Sequence, residues 1–89
     1  MQTRSVIVLN KLGIHARPGA LLTKTANLFD CSVTIRREDK TVDAKSILSV
    51  MRLGAKCGDE LTLVTDGRDD IAAMESILAL FQSRFGEDE

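Results

Sequence analysis

The stretch GIHARPGAL, residues 13–21, holds the one histidine of the chain, His15, with Arg17 two positions on and Pro18 after it. An imidazole works near neutral pH as acid, base or nucleophile, and a guanidinium is the side chain best shaped to clasp a phosphate or carboxylate. Helical patterning starts here, so the spacing predicts His15 at the N-cap of a helix that begins at Ala16 or Arg17. The first amides of a helix have no intrahelical acceptor and lie at its positive end, which makes the Ala16 and Arg17 amides a cradle for an anion on the ring. Pro18 suits the first turn, where its missing N–H costs nothing. It also biases Arg17 away from helical angles, so an irregular turn is expected there. A cationic helix end disfavours an imidazolium, keeps the ring nucleophilic, and would stabilise a dianionic group once attached. A phosphohistidine site meets these requirements, with His15 as nucleophile and Arg17 assisting. An exposed loop histidine beside a surface arginine fits the same spacing.

The elements that must position the ring follow from periodicity. RSVIVL (4–9) is short and β-branched, which suits a strand, and NKLG breaks it. From Ala16 to about Phe29 the pattern is helical, with Leu22, Ala26 and Phe29 as the core stripe, and Asp30 ends the run. SVTIRR (32–37) alternates as a half-buried strand. A polar turn at Glu38–Asp39 leads to a short return strand, TVD, and the two read as a hairpin. Ser46 is a favoured N-cap for the short helix ILSVMRL, and Gly54 a C-terminal stop. LTLVT (61–65) is the fourth strand. Asp69 or Asp70 caps the last helix, whose apolar stripe is Met74, Ile77, Leu78, Phe81 and Phe85, and the acidic GEDE (86–89) reads as a frayed end. The order βαββαβα in 89 residues implies one domain over 1–89. It is of α+β class, with a four-stranded, at least partly antiparallel sheet and three helices on one face.

Two helices carry more apolar residues than one stripe can bury. Arg17, Leu21, Lys24 and Leu28 fall opposite the first core stripe. Ile47, Leu48, Val50, Met51 and Leu53 exceed one face of a two-turn helix. Exposed apolar groups beside basic ones suit a partner surface, although ordinary amphipathic scatter gives the same pattern. Ser46, at its helix start, could also carry a regulatory phosphate. The 12 basic and 13 acidic residues nearly balance, and Tyr and Trp are absent, which argues against nucleic-acid binding. Cys31 and Cys57 form no C-x-x-C unit, and one histidine leaves no zinc constellation. They are expected as free, partly buried thiols. No signal peptide or membrane-length apolar run is visible, so a cytoplasmic location is expected, with no membrane insertion.

The strings N-K-L-G-I-H-A-R-P (10–18) and K-S-I-L-S-V-M-R-L-G-A (45–55), taken together, closely resemble the HPr family, the histidine-containing phosphocarriers of the bacterial phosphoenolpyruvate-dependent phosphotransferase system. The resemblance spans essentially the whole chain. It implies an open-faced β-sandwich of four antiparallel strands and three helices. It implies phosphorylation of His15 on Nδ1 with help from Arg17, Enzyme I as donor and EIIA-type proteins as acceptors. Ser46 would be the target of an HPr kinase/phosphorylase. The implied docking surface is Ala20, Leu21, Lys24, Ile47, Leu48, Met51 and Arg52, on a monomer that needs no cofactor or metal. Three positions depart from the common pattern. Leu12 replaces a small polar residue and Ser49 a frequent glycine, while Gly19 stands where alanine is usual, at a cost of ~1 kcal/mol in helix propensity. N-K-L-G and the ending A-L-F-Q-S-R-F-G-E-D-E look closer to the nitrogen-related branch than to the sugar branch. A rival reading keeps Ser46 as the signal of a regulatory interaction module with no phosphoryl transfer through His15.

Overall fold

Alternation in the strands becomes a sheet with one dry face. The computed structural model describes residues 1–87 and contains four strands, β1 (Gln2–Ile7), β2 (Ser32–Arg37), β3 (Lys40–Asp43) and β4 (Glu60–Asp66). They lie in the order β1-β4-β2-β3, and every neighbouring pair is antiparallel. Register places Leu63 of β4 between Arg4 of β1 and Ile35 of β2, and Ile35 opposite Val42 of β3. Val33, Ile35, Leu61 and Leu63 are buried, while their sequence neighbours are half-buried or exposed. The sheet is thus wholly antiparallel.

Three helices, α1 (Ala16–Ala26), α2 (Ile47–Leu53) and α3 (Asp70–Gln82), complete the α+β fold. They bury Leu22 and Ala26, Val50 and Leu53, and Ala73, Met74, Ile77 and Phe81 in the same core as the strand residues. Each fully buried Leu or Ile contributes roughly 1.5–3 kcal/mol. Among the described residues no helix is long and apolar enough to cross a membrane.

Several boundaries differ from the sequence expectation. β1 ends at Ile7 rather than Leu9, because Val8 leaves the strand register and bonds instead to the Gly58–Asp59 turn. α1 ends at Ala26, three residues before Phe29. The Leu28 and Phe29 amides tighten onto Thr25 and Ala26 carbonyls, and the Asn27 side-chain amide donates to the Thr23 and Lys45 carbonyls. Lys45 Nζ reaches the Phe29 carbonyl at 2.7 Å, so side chains close this helix end. Asp69 occupies the N-cap of α3 without capping it. Its carboxylate accepts from the Asp30 and Cys31 amides, both at 2.9 Å, and those bonds hold it below the usual carboxylate range. Cys31 is buried, whereas Cys57 is exposed rather than partly buried. Burial, then Asp69, pushes the Cys31 thiol up.

The C-terminal segment differs most. α3 stops at Gln82, and Phe85 is buried from a short 3₁₀ turn, Arg84–Gly86, instead of extending the helical stripe. Arg84 and Phe85 both adopt left-handed angles, φ 54° and 55°, and the chain turns back there. Of the GEDE end expected to fray, Gly86 and Glu87 return toward the start of α1 through bonds of Glu87 to Asn10 and His15. Asp88 and Glu89 lie outside the described residues.

Candidate functional site

The loop that presents the histidine hangs on the turn before β4. The Gly13 amide bonds the Asn10 carbonyl, and the Ile14 amide bonds the Ala55 carbonyl, both at 3.0 Å. Gly13 has φ 71°, and a Cβ there would lie 2.5 Å from the Ala55 oxygen and 2.9 Å from Lys56 Cα. Both the left-handed backbone and the close approach require glycine at this point. Ile14 is buried, which anchors the residue before the histidine.

His15 is the N-cap of α1, extended at φ −85° and ψ −170°. Its carbonyl accepts the Gly19 amide at 2.9 Å, the first bond of the helix. The imidazole makes no capping bond. Neither the Ala16 nor the Arg17 amide has an acceptor among the described residues. Arg17 lies inside the helix, so the irregular turn expected before Pro18 is not seen. With Pro18 in the first turn, the carbonyl its ring would strike lies outside the helix. The Arg17 side chain is exposed and has no hydrogen bond or ion pair among the described residues.

The ring, 34% exposed, has its Nε2 2.9 Å from Glu87 Oε2. The other carboxylate oxygen of Glu87 accepts from Asn10 Nδ2 at 2.6 Å, and Asn10 Nδ2 also donates to the Arg84 carbonyl at 2.7 Å. Asn10 is fully buried. The Asn10 hydrogen bond first, then His15 and the charge of Arg17, holds the Glu87 carboxyl below the usual range. Nδ1 of His15 has no hydrogen bond among the described residues. Neither Asn10 nor Glu87 was among the residues singled out from the sequence. The one trace of them there is an acidic end that could answer a cationic site.

Ser46 is the N-cap of α2, accepting the Ser49 amide through its hydroxyl at a long 3.4 Å, and Gly54 ends that helix in the left-handed region. Of the expected docking residues, Ala20, Leu21, Lys24, Ile47, Leu48 and Arg52 are exposed and Met51 is half-buried. Leu12 and Leu28 are exposed as well, at 76% and 74%. α1 and α2 pack against each other, and Gly19 explains how closely. A Cβ on it would collide with the Met51 Cε methyl, which occupies the space an alanine would fill.

Comparison with known proteins gives a consistent answer. A family model described as the PTS HPr component phosphorylation site matches residues 2–83. The chain is 46% identical over 88 residues to the phosphocarrier protein HPr of Treponema pallidum, covering 99% of this chain and all of that one. It is 48% identical over 89 residues to the HPr of Cupriavidus necator, with both chains covered in full. A crystal structure of HPr from Thermoanaerobacter tengcongensis superposes with a TM-score of 0.97 at 36% identity, over the whole of both chains.

Proposed function

The chain belongs to the HPr family, the phosphocarriers of the phosphotransferase system, and we propose that it accepts a phosphoryl group on His15 Nδ1 from phosphorylated Enzyme I and hands it to an EIIA-type protein. The observation that carries this reading is the division of labour on the ring. Nε2 is engaged by Glu87, whereas among the described residues Nδ1 has no hydrogen bond and belongs to the residue capping a helix whose first two amides are unpaired. In the accepting step the Nδ1 lone pair forms a bond to phosphorus. The bond from phosphorus to the donor breaks, and its electron pair stays with the donor. Delivery reverses this at the acceptor. The Ala16 and Arg17 amides and the Arg17 guanidinium supply positive charge to the phosphoryl oxygens, where transfer of this kind is stabilised electrostatically.

Ala20, Leu21, Lys24, Ile47, Leu48, Met51 and Arg52 form the docking face in this reading, supported by the exposure of all but the half-buried Met51 on two packed helices. A small apolar patch with a charged rim suits transient contact. The carrier works as a cytoplasmic monomer. A phosphate on Ser46 regulates it by adding negative charge to that face.

Incubation with phosphoenolpyruvate and Enzyme I tests the reading. An acid-labile, base-stable phosphoprotein should form and be lost in His15→Ala. Label that persists in His15→Ala would refute the site. Ser46→Asp should weaken productive contact with Enzyme I, and unchanged kinetics would remove the regulatory role. A Ser46→Asp effect on partner binding, with no label on wild-type His15, would instead favour the regulatory module. Which Enzyme I paralogue phosphorylates the chain separates sugar uptake from nitrogen regulation.

A further inference from the structure

We propose that Glu87 is a positioning residue for phosphoryl transfer: its carboxylate, seated by Asn10, holds the His15 ring with Nε2–H donated to it and compensates the charge that the ring acquires when Nδ1 bonds phosphorus. This inference rests on His15 being the phosphoryl acceptor.

Hydrogen-bond chemistry sets the tautomer. An ionised carboxylate only accepts, so at 2.9 Å from Glu87 Oε2 the His15 Nε2 must be the donor. A neutral imidazole has one N–H. With the proton on Nε2, Nδ1 keeps its lone pair in the ring plane, which is the pair the transfer uses. Hydrogen bonds from Asn10 and His15, with the charge of Arg17 nearby, keep Glu87 ionised.

The backbone is arranged to deliver this carboxylate. Left-handed angles are uncommon outside glycine, yet Arg84 and Phe85 adopt them consecutively. Side-chain contacts help to hold that turn. Phe85 is buried edge-on against Phe81, with centroids 4.9 Å apart, and Asn10 donates to both the Arg84 carbonyl and Glu87 Oε1. Asn10 is fully buried, and its Oδ1 has no partner among the described residues. A strained turn and a buried amide with an unsatisfied oxygen point to a constraint beyond packing.

The step balances on the ring. Nδ1 uses its lone pair to bond phosphorus, Nε2 keeps its proton, and the ring passes from neutral to cationic while the donor takes back its electron pair. Glu87, already on Nε2–H, becomes the counter-ion of that cation. On delivery the N–P electron pair returns to Nδ1 and the ring is neutral again. A carboxylate plays the same part beside imidazole in hydrolytic triads.

Glu87→Gln tests both halves. Glutamine keeps the length and can still accept from Asn10, but it is uncharged and can donate to Nε2 as readily as accept. In ¹⁵N-labelled wild type at about pH 9, where imidazoles are ordinarily neutral, the ring proton should be found on Nε2 and protected from exchange. That protection should be lost in Glu87→Gln and in Glu87→Ala. In single-turnover transfer from phosphorylated Enzyme I, Glu87→Gln should lower the rate at saturating donor about three- to fivefold, the scale of a partly exposed ion pair, with the half-saturating concentration unchanged. A wild-type proton on Nδ1, or a variant as fast as the parent, would overturn the proposal. A faster variant would overturn it too, by showing that the carboxylate repels the incoming group. If wild type accepts no phosphoryl group, the His15 reading itself fails. A competent wild type with an unaffected Glu87→Gln removes the role of Glu87 alone.

Discussion

A phosphoryl acceptor needs a free lone pair, positive charge for the phosphoryl oxygens and a fixed ring. In the function proposed for His15 these come from different residues: Nδ1, the Ala16 and Arg17 amides with the Arg17 guanidinium, and Glu87 with Asn10. Arg17 is exposed and has no structural bond among the described residues. Arg17→Ala should therefore leave the denaturation midpoint within ~0.5 kcal/mol of the parent. It should slow transfer roughly tenfold or more, the worth of a hydrogen bond to a charged group. A comparable loss in both would assign Arg17 to folding. His15, Ala16, Arg17 and Pro18 were legible from sequence because their geometry is local, a helix start read within four residues. Asn10 and Glu87 were not, because their contacts span 72 to 77 positions and such contacts leave no periodic trace. An acidic run near the end of a chain looks the same whether it is solvated or docked.

At the scale of elements, the pairing of α1 with α2 turns on one missing methyl. A helix of seven residues is too short to persist alone. α2 relies on its Ser46 cap, the left-handed Gly54 and contact with α1. Gly19 leaves the space that the Met51 methyl fills. Gly19→Ala should gain up to about 1 kcal/mol of helix propensity and forfeit about 0.8 kcal/mol as that methyl leaves its site. Because the collision is with the end of a flexible side chain, the net change in urea stability should stay within about 1 kcal/mol. A loss above about 2 kcal/mol would mean that Met51 cannot move. The type and order of the four strands and three α-helices were legible, since burial on one face imposes periods of 2 and 3.6. The ends were not. Asn27 and Lys45 close α1 from their side chains, and the core receives Phe85 from beyond the last helical turn.

Across the whole molecule, Asp59, Asp69 and Glu87 are among the carboxylates that tie distant segments together, and each is held below its ordinary range. The Lys56 amide and Arg37 do this to Asp59, the Asp30 and Cys31 amides to Asp69, and Asn10 with His15 to Glu87. A lowered native pKa means that the unfolded chain takes up protons first as pH falls. The stability these groups contribute is complete above the unfolded value of about 4 and drains away as pH drops through the native ones. The urea midpoint should hardly change on account of these groups between about pH 7 and pH 5 and should fall below about pH 4. A midpoint still level at about pH 3 would contradict the assignment. The same ties reach into the history of each molecule. A ribosome delivers the chain N-terminus first, so the glycine turn and its imidazole emerge when the carboxylate 72 positions later does not yet exist. The proposed nucleophile is therefore made early and its proposed counter-ion late, and a nascent chain can present a histidine whose ring is still free to turn.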